Sequence, residues 1–248
     1  MARTPLSIPA GLQPEEASKA SSAESNTEIA YRVIKAAIID GSLPPGTAVS
    51  EQQLATRLNM SRTPVHQGLI RLEQEEWLKV NSRRGVQVAP IVASEMKDIY
   101  ETLMALEGAA VRRLAGRPAG PTDGIDVQLL TSCATAQKAL EDGDLAAWAI
   151  ADNDFHTLLM RASGNPRLAN QASSLMEQAH RARLLTVRLR PWPESSNEDH
   201  RRIVDAIIGR VPLAAREALE SHRQHGIDTL IPVIEAMLPS QERFIFQD

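Results

Sequence analysis

The fold turns on residues 50–72, SEQQLATRLNMSRTPVHQGLIRL. Ser50 followed three positions later by Gln53 is a capping pair, in which the serine oxygen accepts from an open N–H of the first turn and the glutamine reaches back. A short helix is expected there, with Leu54, Ala55 and Leu58 on one face. Asn59-Met60 breaks it. Ser61-Arg62-Thr63-Pro64 opens the next helix with proline in the first turn, where a missing N–H leaves no hydrogen bond unmade. Val65, Leu69, Ile70 and Leu72 give this helix an inner face.

Working outward, Ile29, Ala30, Val33, Ile34, Ala37 and Ile38 repeat at helical spacing as far as Gly41, and Ser42-Leu43-Pro44-Pro45-Gly46 must turn. Downstream, Leu78–Val80 and Val86–Val88 are β-prone, and Asn81-Ser82-Arg83-Arg84-Gly85 between them reads as a hairpin with a basic tip. Three helices and such a hairpin predict a winged helix-turn-helix over residues 26–90. From Ser94 to about Leu238 the chain reads as helix. It is interrupted at Gly116–Gly124, Asp142-Gly143, Gly164-Asn165-Pro166, Arg190–Pro193 and Gly209–Pro212. The expected architecture is therefore mainly α, with an all-α antiparallel bundle of about six helices over 94–238. Residues 1–25, rich in Ala, Ser, Pro and Glu, read as a flexible arm, and 239–248 as a tail.

At 248 residues, 43% hydrophobic and 23% charged, the chain has ordinary globular values and length for two cores. A net charge of −4 and 3% aromatic residues exclude a uniformly basic surface and a base-stacking platform. Nucleic-acid binding would have to be local, and residues 26–90 do carry eight Lys/Arg against six Asp/Glu. A single cysteine, Cys133, excludes an internal disulfide and a multi-cysteine metal site, so a metal would need His and carboxylates. No apolar run reaches the roughly 18 residues of a membrane helix, and the first 25 residues lack a signal-peptide pattern. A cytoplasmic protein with no membrane partner is expected.

A helix that enters the major groove needs small donors and an arginine at its N-terminus, where open backbone N–H groups also favour phosphate. Ser61, Arg62, Thr63, His66 and Gln67 meet that requirement. Arg62 suits a guanine edge or a phosphate, Ser61 and Thr63 suit phosphate oxygens, and His66 and Gln67 stand where base edges would pass. Arg83, Arg84 and Gly85 at the wing tip would straddle the backbone or reach the minor groove. The plainer alternative is a capped helix with solvated arginines.

In the segment 144–163 the inward stripe of Leu145, Trp148, Ala149, Phe155 and Leu159 also contains Asp152 and His156. His200 falls in line with Ile203 and Ile207, and His222 with Ala215, Ala218 and Leu219. Burying such groups is unfavourable unless they are paired or hold a metal. Four ligand-type side chains on three inward faces of a bundle suit a divalent ion, with zinc foremost and nickel, iron or manganese also compatible. Satisfied core hydrogen bonds are the alternative, and a metal-dependent hydrolase is the remote one. His180 and His225 show no such convergence.

The N-terminal part resembles the GntR transcriptional regulators through Asp40-Gly41-Ser42-Leu43-Pro44-Pro45-Gly46, Ser50-Glu51-Gln52-Gln53-Leu54-Ala55 and above all Ser61-Arg62-Thr63-Pro64-Val65. It departs after Val65, where the family has Arg-Glu-Ala-Leu and this chain has His66-Gln67-Gly68-Leu69. Gly68, inside a helix, has no assignable role from sequence. The C-terminal part is similar to the FCD ligand domain of the FadR-like GntR branch, through Asp152-Asn153-Asp154-Phe155-His156, Gly164-Asn165-Pro166, the segment from Asp199-His200 to Ile207, and Ser221-His222.

The resemblance implies a homodimeric regulator, a repressor by family weighting, that binds double-stranded operator DNA. It implies a metal held by Asp152, His156, His200 and His222, on which a small organic acid binds. The family's arginine for the acid is replaced by Leu103, which continues the stripe Ile99, Leu103, Leu106, Ala110 and Leu114. Arg181, Arg183, Arg188 and Asn165 are the candidates to hold an effector instead. Leu103 also leaves open a purely structural metal with a non-carboxylate effector or none.

Overall fold

Helix α1 (Asn26–Ile39) starts where the Ser25 side chain accepts from the Glu28 N–H, and it buries Ile29, Val33, Ile34 and Ile38. The computed structural model describes residues 24–81, 85–118 and 124–241. The expected arm at 1–25 thus lies outside them except for Glu24 and Ser25, as do Ser82, Arg83 and Arg84 of the wing tip and residues 242–248 of the tail.

After the Pro44-Pro45-Gly46 turn comes a two-residue strand, β1 (Ala48–Val49), which the sequence reading did not anticipate. Helix α2 (Glu51–Leu58) has the full capping box of Ser50 and Gln53, and ends on Asn59 in the left-handed conformation. Helix α3 (Arg62–Gln74) follows Ser61 directly, and the Ser61 hydroxyl makes no cap hydrogen bond. Strands β2 (Leu78–Asn81) and β3 (Gly85–Val88) pair antiparallel, Leu78 opposite Val88, and β1 adds to the far edge of β3 with Val49 opposite Val86. The sheet order is β1-β3-β2.

One core joins these elements: Ile34, Ile38, Leu54, Leu69, Leu72, Trp77 and Leu78 are all sealed from solvent. The inner face of α3 differs from expectation at two positions. Ile70 is half-buried, and Gly68 is buried. A β-carbon on Gly68 would stand 3.0 Å from the Tyr31 backbone nitrogen and 3.3 Å from its Cα. Glycine is there because α1 passes directly over it, which supplies the role that local sequence could not.

The chain divides into two compact units, with the boundary between Pro90 and Ile91. Beyond it lie α4 (Ala93–Ala115), α5 (Ile125–Glu141), α6 (Leu145–Ala162), α7 (Pro166–Thr186), a 3-10 turn (Val187–Leu189), α8 (Glu194–Ile208) and α9 (Pro212–Gln241). Every interruption falls at an expected glycine or proline break. Asp144 caps α6 by accepting from Ala146 and Ala147 N–H, and Asn165 caps α7 with Pro166 at its first position. Helix α9 continues three residues past the expected 238. In α6 Trp148, Ala149, Phe155 and Leu159 are buried as expected, while Leu145 is half-buried. No helix among the described residues is long and apolar enough to cross a membrane.

Candidate metal centre and DNA-reading face

Helices α6, α8 and α9 bring Asp152, His156, His200 and His222 together, with one ligand atom from each lying within 4.8 Å of the others. All four are buried, His200 completely. The Nε2 atoms of His156 and His222 face each other at 3.1 Å, and His200 Nε2 is 3.4 Å from Asp152 Oδ1. Phe155 stacks on the His200 ring at 4.0 Å between centroids and fixes its plane.

Burial drives His156 well below the usual imidazole range, aided by the nearby Arg223 charge, and pushes His200 down to about 3. These two imidazoles are therefore neutral at physiological pH, which is the metal-ligating form. Burial opposes the Asp152 charge, but the Arg183 guanidinium and the three imidazoles outweigh it and hold the carboxyl well below the carboxylate range. Both ring nitrogens of His200 and Nδ1 of His222 make no hydrogen bond among the described residues. Such orphaned atoms in a dry site are unfavourable unless something answers them. Ligand atoms about 2.0–2.1 Å from a shared ion stand roughly 3 Å apart; the His156–His222 and His200–Asp152 pairs are near that spacing, and all four atoms lie within 4.8 Å. The donor set fits one divalent ion.

Around this cluster stand groups to which the sequence assigned no role there, among them His225, which lines the cavity beside it. Glu107 on α4 is fully buried, its Oε1 3.0 Å from His156 Nδ1. Arg223 on α9 donates to both oxygens of Glu107 at 2.6 Å. On α8, Asp199 Oδ2 is 2.8 Å from His225 Nδ1 and 3.9 Å from His222 Nδ1, and Arg202 donates to Oδ1 at 2.8 Å. Burial works against the Asp199 charge, yet His222 and His225 hold the carboxyl down to about 2. Glu107 thus stands behind the outer nitrogen of His156, where a carboxylate favours leaving the other nitrogen to face the cluster, while Asp199 is taken by His225 and Arg202 and stands 3.9 Å from His222. The signal for Glu107 was available: it lies on the stripe Leu103, Ala110, Leu114, where a carboxylate has no solvent.

The candidate effector residues separate. Arg183 reaches the cluster, its Nε 3.0 Å from Asp152 Oδ2. Arg181 is buried but is not among the residues lining the cavity beside the cluster, and Arg188 is exposed in the 3-10 turn. The Asn165 side chain is taken by the α7 cap, accepting from Arg167 and Leu168 N–H. Leu103 is fully buried in an apolar cluster with Ile99, Ala110 and Leu230.

On the other unit, Ser61, Arg62, Thr63, His66 and Gln67 are exposed together at the start of α3. Arg62 Nε donates to Gln52 Oε1, and His66 Nδ1 is 3.0 Å from Glu51 Oε2, so α2 holds both donors in position. Gly85 opens β3 with φ +81°, and a β-carbon there would be 2.7 Å from the Val49 carbonyl oxygen. Its place is set by the approach of β1.

The FCD domain model matches residues 98–225, and the model for bacterial regulatory proteins of the gntR family matches residues 26–88. The chain belongs to the GntR family. This GntR regulator is 39% identical over 132 residues to an HTH-type transcriptional regulator of the TAR-I ttuE-ttuC' intergenic region of Agrobacterium vitis, covering 53% of this chain and 77% of that one. It is 26% identical to the HTH-type transcriptional repressor RspR of Escherichia coli, over 78% of this chain and 84% of that one. The solved structure of E. coli McbR/YncC superposes with a TM-score of 0.72 at 21% identity, covering 87% of this chain and 99% of the other, and so shares the fold. These relatives are transcription regulators, and on that comparison the hydrolase reading of the Asp/His set falls away.

Proposed function

We propose that this GntR regulator is a homodimeric repressor whose affinity for operator DNA is set by a small organic acid binding at a divalent metal in the FCD domain. The observation that carries the reading is the buried convergence of Asp152, His156, His200 and His222, with two imidazole Nε2 atoms facing each other at 3.1 Å. These four residues would hold the ion, zinc foremost, and a bound ion would supply a Lewis-acid anchor for an acid's oxygens. The repressor role is supported by the name of the RspR relative.

On the DNA side, Arg62 reads a guanine edge or phosphate, Ser61 and Thr63 hold phosphate oxygens, and His66 and Gln67 face bases, with the wing arginines on the backbone. A palindromic operator presents half-sites about one helical turn apart to the two recognition helices. The acid shifts DNA binding only as far as it contacts the two arrangements of the dimer unequally.

The test is fluorescence anisotropy on operator duplexes selected from a random DNA pool, with metal-loaded and chelated protein, against a panel of small organic acids. An acid that changes DNA affinity only in metal-loaded protein fits the proposal. A metal that stabilises the protein with no acid changing DNA affinity overturns it. That outcome favours the second reading, a purely structural metal, for which the burial of Leu103 in place of the family's arginine speaks.

A further inference from the structure

We infer that the cavity beside the Asp152–histidine cluster contains a second anion subsite, formed by Arg183 and Arg190, so that the effector is a small dianion. This rests on reading the cavity as the effector site. Arg183 is 5% exposed, and its Nη1 is buried with no hydrogen-bond partner among the described residues, while its Nε is 3.0 Å from Asp152 Oδ2. Arg190, in the break between the 3-10 turn and α8, likewise has buried Nε and Nη2 atoms without partners. Both guanidinium groups line the same cavity.

The charge balance points the same way. Asp152 is the sole carboxylate among the residues lining the cavity, against Arg183, Arg190 and Arg223. Glu107 pairs with Arg223 and Asp152 with Arg183, which leaves Arg190 without an ion pair among the described residues. Burial weakens the Arg190 cation, and Arg183 is close enough to weaken it further. Two like charges kept together out of water, with three donor atoms unmet, fit the binding of an oxyanion. This is also where the charge missing at Leu103 is restored, on α7 and the segment after it rather than on α4. With one carboxylate of a ligand at the metal cluster, the arginine pair takes a second oxyanion, carboxylate or phosphate. Trp148 and Trp192 line the cavity and provide the optical signal.

The experiment measures tryptophan quenching on zinc-loaded full-length protein with two matched pairs of acids. Malate and 2-hydroxybutyrate differ only in a terminal carboxylate against a methyl, and 3-phosphoglycerate and glycerate only in the phosphoryl group. In at least one pair the member with the second anionic group, malate as a dianion or 3-phosphoglycerate with a charge approaching −3, is expected to bind about tenfold to a hundredfold more tightly than its monoanion, and the preferred pair distinguishes carboxylate from phosphate. Arg190→Gln is expected to abolish that preference, weakening the doubly charged member of the pair far more than the monoanion, with bound zinc, measured by mass spectrometry, retained. Equal affinity within both pairs overturns the dianion inference and leaves the acid-effector reading standing. Equal weakening of both members by Arg190→Gln also overturns it, since that marks a general structural role. Failure of all four acids on zinc-loaded protein overturns the acid-effector reading and the inference with it.

Discussion

Glu107 Oε1 lies 3.0 Å from His156 Nδ1, with both side chains closed off from solvent. The same carboxylate accepts two hydrogen bonds from Arg223, so one buried anion serves a cation and a ligand-type histidine at once. Glu107→Ala leaves Arg223 buried and unanswered, and is expected to lose about 3–5 kcal/mol of stability. Glu107→Ala combined with Arg223→Met is expected to regain a large part of that in urea denaturation. Metal affinity, followed by competition with a chromophoric chelator, should fall about tenfold to a hundredfold in both variants. Retention of wild-type affinity in the double variant would remove Glu107 from the metal centre.

Gly68→Ala tests the contact between α1 and α3. Alanine normally favours a helix interior by about 1 kcal/mol over glycine. Here its β-carbon meets the Tyr31 backbone at 3.0 Å, and backbone within a packed helix yields little. A net loss of about 1 kcal/mol or more is expected, read from chemical denaturation followed at Trp77. A stabilised variant would show that α1 moves aside at no penalty.

Arg62→Ala should lower specific operator affinity by about 1–3 kcal/mol. Bound metal and the denaturation of the 91–240 unit should not change, because the side chain is exposed on the other unit. Anisotropy titrations against operator and scrambled duplex separate base reading from phosphate attraction. An equal loss on both duplexes would make Arg62 a phosphate contact.

His180, which is not one of the four ligand-type residues, supplies a pH dependence of its own. Burial, with the Arg183 charge behind it, lowers its pKa from 6.5 to about 4. The unfolded chain therefore binds the proton that the folded chain refuses, and stability is lost as pH falls from about 6.5 towards 4. Between pH 7.5 and 5.5 the loss from this group is about 1 kcal/mol. His180→Gln should flatten that part of the profile in denaturant titrations. An unchanged slope would assign the dependence to other groups.

Chelation is expected to destabilise one unit and spare the other. The two units have separate cores, and the four ligand-type residues all belong to the second. Calorimetry of chelated protein should show one transition moved down by several degrees, as expected for loss of a ligand bound to the native state alone, and a second transition, that of the first unit, left where it was. A joint shift of both would mean that the units unfold together.

What was legible in the sequence is what local chemistry decides. The Ser50–Gln53 box, Pro64 and the breaks between α4 and α9 depend on neighbours within about four residues; the caps that Asp144 and Asn165 make are as local but were not anticipated. The four ligand-type residues were legible because each sits at helical spacing among apolar residues, where its presence is anomalous. The remainder depends on distant partners. Strand β1 is two residues long and exists only because residues 86 and 87 pair with it. Gly68 is explained only by the passage of Tyr31, and Arg223 finds Glu107 across 116 positions of sequence. Arg190 lay in a segment that read only as a helix break, and nothing periodic marked it.

Strand β1 also has a mechanical meaning. A hairpin held only at its base swings about that base, but here the Gly46 N–H donates to the Val88 carbonyl and the Val88 N–H donates to Thr47. The wing is thereby bolted to the turn that leads into α2, and through α2 to the helix bearing Arg62. Helix and wing keep a fixed pitch between them, like two jaws of one caliper. Substitutions along the exposed face of α3 then leave the gauge of the instrument the same.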